Sequence, residues 1–537
     1  MNPLVESAMF PPVSVPLTPQ QQGTFQVLSA RSNLASVEVL GLALDSPIES
    51  VRLAALQTLI SRGGDHEMAK ILEKIDHCKD AEIPLLIQQI PHLLAPIEAG
   101  LSSKNQFSQQ RSLVAIEKLG VASQFHHLVN VAQSPQHPQQ IVAAELVIIL
   151  ACRLGNQSRN ALASKNDSAR EQILVDLQRS MEQYHEHKIE QIFEAWLCAS
   201  HWNDEAFKQL FNPDRRDSVA KMAWKQLRHS HRQEILDLLV GQLWGIGPSH
   251  AAIQLLGERK DHATSCRLAD RAIKSGITPQ LTKNLRLKIP IRVLEEFDFS
   301  SKSESIPRRC AMLQLLSISD TSPAKLLSSI NAMLTEVHPK AESTCSTALR
   351  SLRSLTPEMI VMVLSDCFDA PDIEAYEPPP WKSELKAELE RLIELYPVQP
   401  PSIRASIEFA FSDFQCESMS RHLEDWPEPH LVAYGRIVRI AQQRFIEYLE
   451  SESESQSAVK RTRILKVIRL LGVDGELIEI VKDLLRDPNE AVRIEAIYTI
   501  SSGRNRREAI ELLQPLLFDE DNGVKVAADL ILSQLGN

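Results

Sequence analysis

The sequence predicts an all-α protein made of stacked helix pairs, and three observations carry that expectation. Glycine accounts for 18 of the 537 residues and aromatics for 5%. That is about half the usual glycine share of ~7%, too little for the turns and pleated faces of a strand-rich fold. Apolar residues recur at helical spacing in segments of about 12–18 residues, and no alternating run is long enough for a sheet. The same apolar stripe also returns at four places along the chain. A chain of this length holds three or four ordinary domains or one long repeat array, and the recurring stripe favours the array.

Residues 1–22 contain Pro3, Pro11, Pro12, Pro16 and Pro19 and end in Gln20-Gln21-Gln22. Proline at that density predicts a disordered tail. Residues 23–300 read as an N-terminal helical array, 301–455 as divergent helical repeats with proline-rich loops, and 456–537 as a C-terminal array. Short breaks fall at Arg62-Gly63-Gly64-Asp65, Gln133-Ser134-Pro135, Asn212-Pro213-Asp214 and Asp425-Trp426-Pro427. Longer loops are expected near 300, 375, 400 and 453, where serine, proline and glutamate cluster.

The repeat is clearest at the C-terminus, where Asp487-Pro488-Asn489-Glu490-Ala491-Val492-Arg493 returns 32 residues later as Asp519-Glu520-Asp521-Asn522-Gly523-Val524-Lys525. Related segments begin at Asp45 and Asp214. Aligned on the valine, each copy carries alanine four positions on and a large aliphatic eight positions on: Val51/Ala55/Leu59, Val219/Ala223/Leu227, Val492/Ala496/Ile500 and Val524/Ala528/Leu532. Steps of four keep these side chains on one helix face. The alanine lets a neighbouring helix approach, the preceding Asp is placed to cap the helix, and Pro suits its first turn. Arg52, Arg493 and Lys525 follow the valine and are expected off the buried stripe. These residues resemble the HEAT repeat, an antiparallel helix pair with Asp-Pro in the turn and Val-Arg-x-x-Ala opening the second helix. The resemblance is specific over 480–537 and 40–62 and looser at 212–228, where Ala220 replaces the basic residue. It implies an α-solenoid of on the order of 11–17 helix pairs at roughly 30–45 residues each. Each pair would bury its apolar face against its neighbours, with second helices lining a concave surface that usually receives a partner.

Several classes are disfavoured. The opening Met1-Asn2-Pro3-Leu4-Val5-Glu6 lacks a signal peptide's basic and apolar regions. The most apolar run, Leu146 to Cys152, is seven residues, against the ~20 of a spanning helix. The eight cysteines (78, 152, 198, 266, 310, 345, 367 and 416) form no C-x-x-C and no pair closer than 22 residues, as expected of free thiols in a reducing cytoplasm.

No catalytic constellation, cofactor motif or metal set is apparent. Among HEAT-repeat proteins, di-iron hydroxylases carry four His-Glu dyads; here there are two, His66-Glu67 and His185-Glu186. His185/His187 and His229/His231 are two apart, so a regular helix points them about 200° from each other; a four-residue step would be needed to clamp a metal. Phe125-His126-His127 reads as a loop or partly buried edge. Gly241-Gln242-Leu243-Trp244-Gly245-Ile246-Gly247-Pro248 lacks the Gly-Lys-Ser/Thr ending of a phosphate loop and reads as a helix end.

Charge is the remaining signal. The chain carries a net −11; residues 205–310 hold 19 Lys and Arg against 12 Asp and Glu, and residues 366–456 hold 8 against 19. The leading expectation is a non-enzymatic cytoplasmic scaffold that binds a partner protein along its helical-repeat surface. The second is a nucleic-acid binder or processor, since HEAT-like DNA glycosylases hold duplex in a basic groove. Its candidate surface is Arg215, Arg216, Arg228, Arg232, Arg267 and Arg271, although an acidic chain is an unfavourable frame for phosphate. The two oppositely charged segments also predict weak, salt-sensitive self-association.

Overall fold

A computed structural model describes residues 16–536 apart from 31–32, 161–166, 203, 212–216, 287–290, 337, 353–354, 366–380, 443, 474 and 504. The described residues form thirty-three α-helices, a few short 3-10 turns and no strand. They fall into two compact units, Met1–Arg259 and Lys260–Asn537. The expected tail at 1–15 and the loop near 375 lie outside the described residues.

The second unit shows the stacking most plainly. Helix His262–Ser275 packs on Ile306–Ile318, which packs in turn on Pro339–Ser351, Pro401–Ala410, Glu428–Ala441, Ala458–Leu471, Glu490–Ser501 and Asn522–Gly536. The helices between them, such as Pro323–Met333 and Trp381–Leu395, pair with one another. In the first unit Gln106–Leu119, Gln140–Asn160, Gln191–Ala199 and Ser218–His229 make the corresponding row. Each helix therefore meets partners near it in sequence, the one-dimensional order of a solenoid of helix pairs.

The stripe that predicts this order is the core. Ala55, Leu59, Ala223, Leu227, Val492, Ala496, Ile500, Val524 and Ala528 are buried. Val51, Val219 and Leu532 are half-buried, and in the second copy Ala220, next to Val219, is buried. Helix Gln140–Asn160 is, among the described residues, long and apolar enough to cross a membrane. Half of that stretch is buried inside the protein, against Phe125–Gln133 and Gln191–Ala199. The seven-residue run read from the sequence is only its most apolar part.

Three expectations need correction. The tail does not extend to residue 22, because a helix starts at Pro19. Thr18 Oγ1 accepts from the Gln21 N–H at 3.3 Å, and Gln21 Oε1 accepts from the Thr18 N–H at 2.9 Å. This reciprocal cap, with proline in the first turn, overrides the breaking effect of the residues before it.

Second, Arg52 and Arg493 do not lie off the buried surface; they are 5% and 8% exposed. Arg52 Nε donates to Glu82 at 2.7 Å and its Nη1 to the Ser46 carbonyl at 2.9 Å. Arg493 donates to Asp519 at 2.8 Å, Asp521 at 2.5 Å and the Asp487 carbonyl at 2.8 Å. Arg461 repeats the pattern one helix pair earlier with Asp487 at 2.6 Å and the Ser455 carbonyl at 2.6 Å. The guanidinium is buried because a carboxylate of the following repeat and carbonyls of its own turn satisfy it.

Third, an Asp before the stripe is not a uniform cap: Asp217 serves, its side chain accepting from the Ala220 N–H, while Asp214 lies outside the described residues. Asp45 instead receives Lys74 at 2.6 Å, and Asp487 is displaced from the cap by Asn489.

Candidate functional site

Helices Asp65–Glu73, Ile90–Leu101 and Gln106–Leu119 in the first unit enclose a surface cleft of about 780 Å³. Asp65, His66 and Glu73 contribute from the first helix, Ala95 and Pro96 from the second and Arg111 from the third. The second and third helices come close because residue 100 is glycine. A Cβ there would collide with Ser112 Oγ and stand 3.2 Å from the Ser108 carbonyl oxygen. Lys70 bridges Glu38 at 2.7 Å and Glu73 at 2.9 Å. That hydrogen bond, against the effect of burial, holds the Glu73 carboxyl below the usual range. Arg111 stands 3.8 Å from Glu73. Among the described residues Asp65 and His66 are exposed and make no side-chain hydrogen bond or ion pair. The cleft thus offers small apolar surface flanked by an acidic and an imidazole side chain. A second hollow of about 470 Å³ lies between Glu98, Leu101 and Ser102 and the Phe125–Gln133 helix.

His66 belongs to one of the two His-Glu dyads, and the structure parts the two residues. His66 lines the cleft, while Glu67 is buried and paired with Arg62 at 2.8 Å. His185 and Glu186 are exposed beside each other. His187 is buried, with Nε2 2.9 Å from the Ser180 carbonyl and Nδ1 accepting from the Ile189 N–H at 3.0 Å. Those two bonds assign a neutral ring with its proton on Nε2. His229 and His231 are exposed. Phe125-His126-His127 opens the Phe125–Gln133 helix rather than forming a loop, with Phe125 fully buried. The glycine cluster ends helix Gln233–Trp244, and Gly247 takes the left-handed conformation there at φ 64°.

The proposed basic surface is not a free one. Arg215 and Arg216 lie outside the described residues. Arg228 pairs with Glu258 at 3.0 Å and Arg232 with Glu194 at 2.8 Å, both in the first unit. Arg267 and Arg271 are half-buried in the second unit on helix His262–Ser275. Neighbouring cations are likewise engaged: Lys225 with Glu190 at 2.8 Å, Lys260 with Glu296 at 2.8 Å and Arg308 with Asp270 at 2.8 Å. Arg259 is buried and donates to the carbonyls of Leu227 at 2.8 Å and Ser230 at 2.7 Å. Of the five ion-paired cations named, Arg228, Lys260 and Arg308 pair with carboxylates of the same segment and Arg232 and Lys225 with Glu194 and Glu190 outside it, so the local positive excess is answered only in part.

The seven described cysteines are free thiols. Two groups bring metal-binding atoms within 4.8 Å of one another: Cys152, Cys198 and Glu234, and His262, Cys266 and Glu304. Sequence reading passed over both. The second carries a legible signal, His262-Ala263-Thr264-Ser265-Cys266 at the four-residue step that puts both ligands on one helix face. Glu304 arrives from the next repeat and has no local signature.

No protein-family model matches the chain, and no curated protein matches it. Solved structures resemble it at low identity. Kap121p is 14% identical with a TM-score of 0.22, covering 96% of this chain and 54% of that one. A Kap121p complex with Pho4p gives 12% and 0.24 with 96% and 53% covered. A Kap95p structure described with RanGDP gives 12% and 0.26 with 96% and 78% covered. These are karyopherins, which are HEAT-repeat α-solenoids. The chain spans about half the length of the Kap121p chains it matches. At such scores the likeness carries no inference about this chain.

Proposed function

We propose that this chain is a non-enzymatic scaffold whose first unit receives a segment of a partner protein in the cleft between Asp65–Glu73, Ile90–Leu101 and Gln106–Leu119. The observation that carries the reading is the cleft's lining. Exposed Ala69, Ala95 and Ala99 offer apolar surface to side chains, and Asp65 and His66 stand ready to orient a polar or basic one. Such a mixture of apolar walls and a few oriented polar groups is what recognition sites share. The pairing of Arg228, Arg232 and their neighbours weighs against a phosphate backbone as the ligand, since phosphate contact needs unanswered cations. The same pairing limits any charge-driven self-association to the residues it leaves exposed. A reducing cytoplasmic setting fits the free thiols and belongs to the same proposal.

Photo-crosslinking tests it. A photoreactive residue at Ala99 or Ser108 in the full chain should trap one recurrent protein partner in the native cell. The same probe at Val526, exposed on the last helix, should not trap it. Asp65→Lys should weaken the trapped band. A partner trapped equally at Ala99 and Val526, or unaffected by Asp65→Lys, would contradict the cleft as the binding surface.

A further inference from the structure

We propose that His262, Cys266 and Glu304 form a zinc site that ties the first helix of the second unit to the loop entering the next repeat. His262 and Cys266 lie four residues apart on helix His262–Ser275, so both side chains leave the same face. Glu304 precedes helix Ile306–Ile318, which packs directly on the first helix. Repeat stacking therefore delivers a ligand 38 residues away in sequence.

The three ligand atoms form a triangle of the right size. His262 Nε2 is 2.9 Å from Glu304 Oε1. Cys266 Sγ is 3.3 Å from Nε2 and 3.6 Å from Oε1. A tetrahedral zinc with Zn–N and Zn–O near 2.0–2.1 Å and Zn–S near 2.3 Å needs edges of about 3.3, 3.5 and 3.5 Å in the same order. Shifts of a few tenths of an ångström would admit the ion, and His262, exposed on the helix surface, is free to make them.

Two further observations point to a cation at this place. The Glu304 side chain is 7% exposed, and its Oε2 is buried with no hydrogen-bond partner. A carboxylate removed from water and short of donors is costly unless a positive charge answers it. Arg308 does so only in part: its Nη1 is 3.6 Å from Oε2, while its Nε and Nη2 are committed to Asp270 at 2.8 and 2.9 Å. Beside the ligands lies a cavity of about 210 Å³, lined also by Ser265, Phe297, Asp298 and Ser303. It supplies room for the water or small anion that completes a three-residue zinc site. The other cysteine group is less suited, because Glu234 already accepts from Asn156 Nδ2 at 3.1 Å.

The test uses the full chain stripped of metal and titrated with Zn²⁺ against a chromophoric chelator, then with Co²⁺ as a spectroscopic probe. We expect about one tight equivalent and a thiolate-to-cobalt charge-transfer band. Cys266→Ser should abolish the band, and His262→Ala should weaken zinc binding by more than about tenfold. Zn²⁺ should raise the unfolding temperature of the natural chain and of neither variant. A far-ultraviolet circular dichroism spectrum of metal-free His262→Ala that matches the natural chain should exclude misfolding as the cause, since His262 lies exposed on the helix surface. Absence of a tight equivalent would overturn the proposal. So would a charge-transfer band that survives Cys266→Ser or disappears in Cys198→Ser.

Discussion

At the residue scale, the buried arginines carry the cross-repeat order. Arg493 reaches two aspartates of the following repeat and a carbonyl of its own turn, and removing it takes from the half-buried Asp519 its hydrogen-bonding cation. Arg493→Ala should therefore destabilise the chain by about 3 kcal/mol, whereas Arg507→Ala, at an 89% exposed side chain, should stay within about 0.5 kcal/mol. Denaturant unfolding of both variants checks this. The aspartates also set an acid limb. Burial pushes the Asp487 and Asp519 carboxyls up, but hydrogen bonds from Arg461 or Arg493 and from a backbone N–H outweigh it and hold both below the ordinary value. Their stabilisation is thus full above about pH 4 and is lost as pH falls through the lowered folded-state values. Glu495 acts in the opposite window: burial raises it despite Arg469, so its share is lost as pH rises through the raised value. Asp519→Asn should cost about 1.5–3 kcal/mol near pH 6, with the difference from the natural chain shrinking toward about pH 3. A constant difference across that range would mean the carboxylate is not the group that titrates.

At the element scale, the helices and their stripes were legible because alanine and aliphatic side chains four apart can be buried in only one way. The arginines were misplaced because a charge is assigned to the surface until its partner is known, and the partners lie about one repeat downstream. The helix from Pro19 was hidden behind four prolines, although Thr18 and Gln21 carry the capping signal. The cleft was not legible at all, since it depends on how three helices diverge around Gly100. Helix packing offers its own check at Gly155, where Gln140–Asn160 meets Gln191–Ala199. A Cβ at Gly155 would collide with the Cys198 carbonyl oxygen and lie 3.2 Å from Ala199 Cα. Backbone cannot turn aside as a side chain can, so Gly155→Ala should cost about 1–3 kcal/mol. Gly23→Ala, in open space on an exposed helix, should instead gain about 0.5–1 kcal/mol. Equal effects in thermal unfolding would mean that the two helices do not approach as closely as described.

At the scale of the whole molecule, two compact units of stacked helix pairs leave broad side-chain surface exposed, and the proposed function places the partner where that surface is hollow. The sequence could name a class of fold and a class of role, but charge counts alone pointed to 205–310, where Lys225, Arg228, Arg232, Lys260 and Arg308 are engaged by neighbouring carboxylates. Geometry moves the candidate site to residues 65–111. The central claim is that a protein partner occupies that cleft. Hydrogen exchange on the chain isolated with its native partner, compared with the free chain, tests it most directly. The account predicts slowed exchange in Asp65–Glu73, Ile90–Leu101 and Gln106–Leu119. Protection confined to 205–310, with the three cleft helices exchanging as in the free chain, would contradict it.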